Sequence, residues 1–329
     1  MTSIALNTSA FGESLRAQIA DGRQVSDIFF VACGGSLVDL FSARFFLARE
    51  TKRLRADAYT ANEFVHATPK ALGDGSIVVL CTHSGGTAEA VESAKIAQSA
   101  GALTVTLTHN EGAKIAEFSD YNILYAWGDD SRVSDNPMAI ALGLGLEILQ
   151  QAEGYAAYDD FRNAFHQIDG IVDAGCDAVR ERAKKYAQKH GDDTLFYVLS
   201  SGPSFGHAHG FAACSLMEMQ WLNGSAIHSG EFFHGPFEIT DNQANFIVLQ
   251  NEGCTRPLDE RVVDFLSRYA TDFEIVDARE LGLGTLPAGV VDYFNPVLFY
   301  SVMCVYREAL ASVRNHPLET RRYMGKVDY

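Results

Sequence analysis

Residues 76–87 read SIVVLCTHSGGT, and the architecture of the chain follows from that stretch. After its first residue, Ser76 to Cys81 is an unbroken apolar run, which predicts a strand covered on both faces rather than one with a wet side. It passes directly into Thr82-His83-Ser84-Gly85-Gly86-Thr87 and then into a helical pattern through about Ser99. The same order occurs upstream, where DIFFVA (Asp27 to Ala32) enters Cys33-Gly34-Gly35-Ser36 and a helix to about Glu50. A leading helix over Phe11 to Ala20, strands at Thr104 to Thr108 and Asn122 to Ala126, and a helix over Pro137 to Gln151 complete this half. Strands alternating with helices across short turns predict a parallel sheet with helices on both faces.

From Tyr158 to His190 the chain reads as one charged helix, and then the pattern restarts. TLFYVL (Thr194 to Leu199) leads into Ser200-Ser201-Gly202-Pro203-Ser204 and a helix to about Leu222, and FIVLQ (Phe246 to Gln250) leads into a helix from about Leu258. The two halves align as an internal repeat. FFVACGGS from Phe29 matches FYVLSSGPS from Phe196, and Glu63-Phe64-Val65-His66 matches Glu231-Phe232-Phe233-His234. Ile77 to Leu80 matches Phe246 to Leu249. The expected fold is α/β, with two doubly wound parallel-sheet subdomains at 1–155 and 193–313. A helical connector spans 156–192, and a tail at 314–329 follows the apolar helix Phe294 to Val313 and lies over a site or straps a dimer.

Two stretches carry chemistry. The loop at 82–87 sets three hydroxyls and two glycines between a buried strand and a helix N-terminus, where unpaired backbone N–H groups and the positive helix end favour a phosphate. It lacks the GK[ST] ending of a Walker A loop and is not GxGxxG, so a nucleotide has no support. The second stretch is Ser201 to Thr240, SGPSFGHAHGFAACSLMEMQWLNGSAIHSGEFFHGPFEIT. At helical spacing Glu218 shares a stripe with Phe211, Cys214, Ser215 and Leu222, and a carboxylate buried there is suited to proton transfer. The bland reading is a Glu that caps a loop or pairs with a cation. The repeat carries Glu218 back to Glu50, which Arg49, Lys52 and Arg53 flank, whereas no Lys or Arg lies between Lys189 and Arg256. Glu218 is therefore expected to be unpaired. His234, between an aromatic pair and a Gly-Pro turn, reads equally as functional or structural, and its recurrence as His66 makes Glu-Phe-x-His partly architectural. Where the first half has Ser84-Gly85-Gly86 the second has Asn251-Glu252-Gly253, so one half is expected to hold an anion and the other to move protons.

Composition excludes several classes. A formal charge of −16 over 329 residues disfavours nucleic acid and anionic membrane surfaces as partners. The six cysteines are far apart with no CxxC pair, which predicts buried free thiols. No zinc-ligand spacing occurs, and His207 and His209 read as non-metal. No leader or long apolar run is seen, so a cytoplasmic protein is expected.

Cys-Gly-Gly-Ser, Thr-His-Ser-Gly-Gly-Thr and Gly-Glu-Phe-Phe-His-Gly-Pro together resemble the sugar isomerase (SIS) family, over essentially the whole chain. The likeness is to the isomerase half of glucosamine-6-phosphate synthase and to the fructosamine 6-phosphate deglycases, and the closing His-Pro-x-x-x-Arg-Arg-Tyr and Val-Asp-Tyr resemble the deglycases. The resemblance implies that Ser36, Thr82, Ser84, Gly85 and Thr87 bind the substrate's phosphate. It implies that Glu218 moves a proton between C1 and C2, and that His234 serves ring opening or acid catalysis. Gly35, His83, Glu231, His316, Arg321, Arg322 and Tyr323 are further candidates for substrate contact. His83 stands where the synthases have Gln, and Gly86 where they have an acidic residue. The chain reaches its first strand by Asp27, which leaves no room for the synthases' glutaminase domain. The implied activity is a deglycase acting on a fructosyl-amino acid 6-phosphate, without metal or organic cofactor, in at least a homodimer. An aldose–ketose phosphosugar isomerase and a non-catalytic sugar-phosphate sensor are the alternatives.

Overall fold

The structure, a computed structural model, describes residues 8–128, 131–241 and 244–328. It divides into two compact units, Met1–Asp169 and Gly170–Tyr329. In the first, α1 (Ser9–Ala20) precedes β1 (Asp27–Ala32), α2 (Gly35–Glu50), β2 (Arg55–Thr60), α3 (Ala61–His66), β3 (Ser76–Cys81), α4 (Ala88–Ser99), β4 (Leu103–Thr108), β5 (Tyr121–Leu124) and α5 (Pro137–Ala152). The unit boundary falls inside α6 (Tyr158–His190). The second unit continues with β6 (Leu195–Ser200), α7 (Phe205–Gly210), a π-helix over Phe211–Met219, β7 (Asn223–His228), β8 (Asn245–Gln250), α8 (Arg256–Tyr269), β9 (Phe273–Asp277) and α9 (Asn295–Val313).

Each unit holds one parallel sheet, in the orders β2-β1-β3-β4-β5 and β7-β6-β8-β9. The shared order 2-1-3-4 is the repeat seen in three dimensions. The first strand of each half ends in a turn that needs a left-handed residue, and glycine stands there both times, Gly34 at φ 55° and Gly202 at φ 51°. Phe64 and Phe232 occupy matching places and are both fully buried. Phe64 packs 6.1 Å from Phe29, and Phe232 lies 6.2 Å from Phe246. These phenylalanines make the Glu-Phe-x-His segment architectural in both halves, because removing a buried Phe costs about 3–5 kcal/mol.

The expected strands at β1, β3, β4, β5, β6 and β8 form within a residue or two of their expected bounds. Three strands had no expectation. In β2 (RADAYT) and β7 (NGSAIH) few side chains are buried, because each lies at a sheet edge and needs no apolar run. The third, β9, is the opposite edge of the second sheet.

Two expectations are corrected. The helix expected from Ser204 to Leu222 is a short α-helix followed by nine residues of π-helix, so the α-helical spacing that placed Glu218 on a stripe does not apply across it. Of the six cysteines, Cys81 is buried, Cys254 is exposed and the rest are partly covered.

Candidate active site

The phosphate-loop candidates converge in the first unit. Ser36, Thr82, His83, Ser84 and Thr87 line one pocket of about 210 Å³ together with Cys33, Cys81 and Ala90. Two helices begin there. The N-cap of α4 is Thr87, whose hydroxyl does not cap the helix and lies 3.0 Å from the Thr82 hydroxyl, while the N-cap of α2 is Gly34, which has no side chain to offer. The first-turn N–H groups of both helices are thus left without side-chain caps beside hydroxyls, which suits an anion. Among the described residues no Lys or Arg lines the pocket. A phosphate would be held by amides, hydroxyls and helix ends alone.

Gly85 and Gly35 lie at the edge of this arrangement and shape it. Gly85 is buried at φ 70°, and a Cβ on it would stand 2.1 Å from the Ala113 Cβ. Its carbonyl accepts from the Ile115 N–H at 3.0 Å, tying the loop to the segment beyond β4. Gly35 opens α2. Beside its place in the pocket lining, His83 has its Nδ1 2.9 Å from the Tyr125 hydroxyl, and its ring stacks on His109 at 5.1 Å. Burial, and then His109, lower its pKa, so the ring is held neutral.

Behind the pocket stands a group without an expected role. Asp39 lies one helical turn after Ser36 on α2, a spacing that brings the two side chains to one face. It is 7% exposed, and burial pushes its carboxyl up to about 7. The Cys81 thiol is raised by its own burial first and then by Asp39, against a hydrogen bond with Ser36.

Glu218, Arg321, Arg322 and Tyr323 converge in the second unit, on a pocket of about 560 Å³ whose lining includes Met217, Trp221 and Met324. Glu218 was expected to be unpaired. Instead its Oε1 accepts from the Arg321 guanidinium at 2.8 Å, because the tail after α9 folds back onto the end of the π-helix. Local sequence around Glu218 could not show a cation that arrives from the far end of the chain. No partner is seen for Oε2 among the described residues, so one oxygen is anchored and the other is open to a proton. His316 joins through Trp221, whose ring meets it edge-on at 4.6 Å, and through its carbonyl, which accepts from Gln220 at 2.9 Å. The tail thus lies against the end of the π-helix at Glu218, Gln220 and Trp221, and Tyr329 lies outside the described residues.

Glu231 and His234 line neither pocket. They sit exposed on the turn after β7, where the His234 N–H donates to the Glu231 carbonyl at 3.0 Å.

The matched position in the second unit is filled from within. Asn251 follows β8 as Thr82 follows β3, so the loops align one strand end to the other rather than through the glycines. The Ser204 hydroxyl, the counterpart of Ser36, donates to Asn251 Oδ1 at 2.5 Å, and Asn251 Nδ2 donates to Asp259 at 2.8 Å. Ser204, Asn251 and Asp259 are fully buried. Asn251 therefore fills the place that stands open in the first half.

Comparison with known proteins agrees with this architecture. The model of the SIS domain matches residues 23–142. Fructosamine deglycase FrlB of Bacillus subtilis (strain 168) is 35% identical over 324 residues, covering 98% of this chain and 99% of that protein. Fructoselysine 6-phosphate deglycase of Escherichia coli (strain K12) is 26% identical over 93% of this chain and 88% of that protein. Among solved structures, a candidate phosphosugar isomerase from Salmonella typhimurium LT2 superimposes with a TM-score of 0.95 at 42% identity, each chain covered in full. The chain belongs to the SIS-domain family, the family in which the fructosamine deglycases fall.

Proposed function

We propose that the protein is a deglycase that cleaves a fructosyl-amino acid 6-phosphate with water to glucose 6-phosphate and a free amino acid. The full-length likeness to two deglycases carries this reading. The hydroxyl pocket and Glu218 supply the chemistry it needs. The phosphate is held by Ser36, Thr82, Ser84 and Thr87 at the two uncapped helix ends. With the sugar open, the free oxygen of Glu218 takes a proton from C1, leaving an enaminol. Reprotonation at C2 moves the double bond to C1 and nitrogen. Water adds to that imine, and the C1–N bond breaks to give the aldehyde of glucose 6-phosphate and the amine. Arg321 orients the carboxylate, and His234 serves ring opening. His234 is exposed and lines neither pocket described above, which leaves it available to a neighbouring chain's site, and the working unit in this reading is at least a homodimer.

The test is a coupled assay for glucose 6-phosphate with the 6-phosphofructosyl adducts of lysine, asparagine and glutamine. Release from one adduct is expected, and Glu218→Gln should lower turnover by about a hundred- to ten-thousand-fold while phosphate affinity stays unchanged. Silence on all three in the wild type refutes those substrates. The likeness to a candidate phosphosugar isomerase favours one second reading, interconversion of a ketose and an aldose phosphate by the same base. Conversion of free fructose 6-phosphate to glucose 6-phosphate, with no release from any adduct, would establish it.

A further inference from the structure

We infer that Arg322 reads a carboxylate on the amine half of the substrate, so that the pocket at the tail selects amino-acid adducts over adducts of simple amines. This rests on the deglycase reading and adds to it the part of the molecule that the phosphate pocket does not touch.

The tail brings several cations to the second unit of an acidic chain. Most are occupied by acceptors. Arg314 donates to the Gly191 carbonyl at 2.6 Å, Arg321 to Glu218 and to the Leu318 and Thr320 carbonyls, and Lys326 to the Arg321 carbonyl. Arg322 differs: its guanidinium lies 4.0 Å over the Trp221 ring, and no acceptor is seen for it among the described residues. A guanidinium stacked on an aromatic face uses its π surface, while its N–H donors lie in the plane and point past the ring. They are left in the geometry that binds a carboxylate through two parallel hydrogen bonds.

The platform is built for this placement. Trp221 has φ 55°, a left-handed backbone that a bulky residue seldom takes, and strain of that kind persists where surrounding structure enforces it. The Leu222 N–H bonds back to the Leu216 carbonyl at 3.0 Å and closes the turn around it. The ring so placed carries Arg322 on its face and His316 at its edge.

Charge and position agree. Glu218 lines the same pocket and would by itself repel a second carboxylate, but its pairing with Arg321 removes that repulsion and leaves Arg322 as a surplus positive charge. The carbon that Glu218 deprotonates bears the amine, and the α-carboxylate of an amino acid is only a few bonds from it. A pocket of about 560 Å³ has room for that half.

The experiment uses unreactive reduced adducts, which lack the C2 carbonyl: glucitol 6-phosphate joined through C1 to glycine, and the same sugar joined to methylamine. The two differ by the carboxylate alone. Calorimetry on the full chain is expected to show the glycine adduct binding about tenfold more tightly. In Arg322→Gln that preference should vanish with the methylamine adduct unchanged, and Arg322→Lys should retain part of it. Equal affinity of the wild type for both adducts, a preference that survives in Arg322→Gln, or no binding of either adduct overturns the inference. A preference present in binding while the glucose 6-phosphate assay stays silent leaves Arg322 in its role and refutes the deglycase reading alone.

Discussion

Gly85 and Gly86 are neighbours with opposite requirements, and replacing each by alanine tests the account of the phosphate loop. At Gly85 the backbone is left-handed, and an added Cβ would stand 2.1 Å from the Ala113 Cβ and 2.9 Å from its Cα, with Thr108 Oγ1 at 3.1 Å. The left-handed conformation costs an L-residue about 1–2 kcal/mol, and overpacking a filled site about 1–3 kcal/mol. Together these give a loss of roughly 2–5 kcal/mol. In a unit of this size that lowers the melting temperature by roughly 5–15 °C. At Gly86 the nearest atom to a new Cβ is Ser84 Oγ at 3.9 Å, and the backbone is not left-handed. Gly86→Ala should be neutral or gain up to about 1 kcal/mol from a stiffer unfolded chain. The assay is thermal unfolding of wild type and both variants, paired with inorganic phosphate affinity. Gly85→Ala is expected to lose stability and affinity together. If it melts with the wild type, Gly85 does not hold the loop against Ala113 and the geometry described for the pocket is wrong.

Asp39 gives the sign of a pH dependence. Its carboxyl sits at about 7 when folded against an ordinary 3.8, so between those values the folded chain holds a proton that the unfolded chain has lost. Its contribution is present below the lower value and is lost as pH rises to about 7, a cost of about 4 kcal/mol above neutrality. Asp39→Asn should remove that decline; urea unfolding at pH 5 and pH 8 with equal slopes in both proteins would contradict it. Arg256 donates to both oxygens of Asp277 at 2.8 and 2.7 Å and to Glu260 at 2.7 Å, with the Arg256 and Asp277 side chains each only 10% exposed. Burial acts to raise the Asp277 carboxyl, but the guanidinium and backbone N–H donors hold it below its usual range. Arg256→Ala should cost about 3–5 kcal/mol by leaving that half-buried carboxylate without its cation, and denaturant unfolding within 1 kcal/mol of wild type would refute it.

What the sequence made legible follows burial. The runs DIFFVA and SIVVLC mark β1 and β3 to the residue because both faces of a central parallel strand are apolar, and burial is complete along them. RADAYT and NGSAIH escape the same reading, since an edge strand is held by backbone pairing on one side and its side chains meet water. The convergence of the loop hydroxyls at 82–87 on one pocket was legible because a strand, a turn and a helix start leave little choice about where they point. Asp39 had a signal in its spacing from Ser36. Glu218 was found but its surroundings were misjudged, for two reasons. A π-helix has the composition of an α-helix but a different hydrogen-bond step and so a different spacing along each face, and the Arg321 contact is long-range, with nothing near Glu218 to announce it.

The Asn251 joint separates the energetics of two halves that share a topology. In the second unit, Asn251 and Asp259 satisfy the buried serines Ser204 and Ser229 internally, so that joint is complete with nothing bound. In the first unit the matching place is a socket, and whatever fills it contributes to holding the unit together. An anion bound there at a hundred times its dissociation constant adds about 2.7 kcal/mol to the stability of the half that holds it. At this joint one half therefore closes itself with its own side chains, and the other draws part of its stability from the concentration of its ligand.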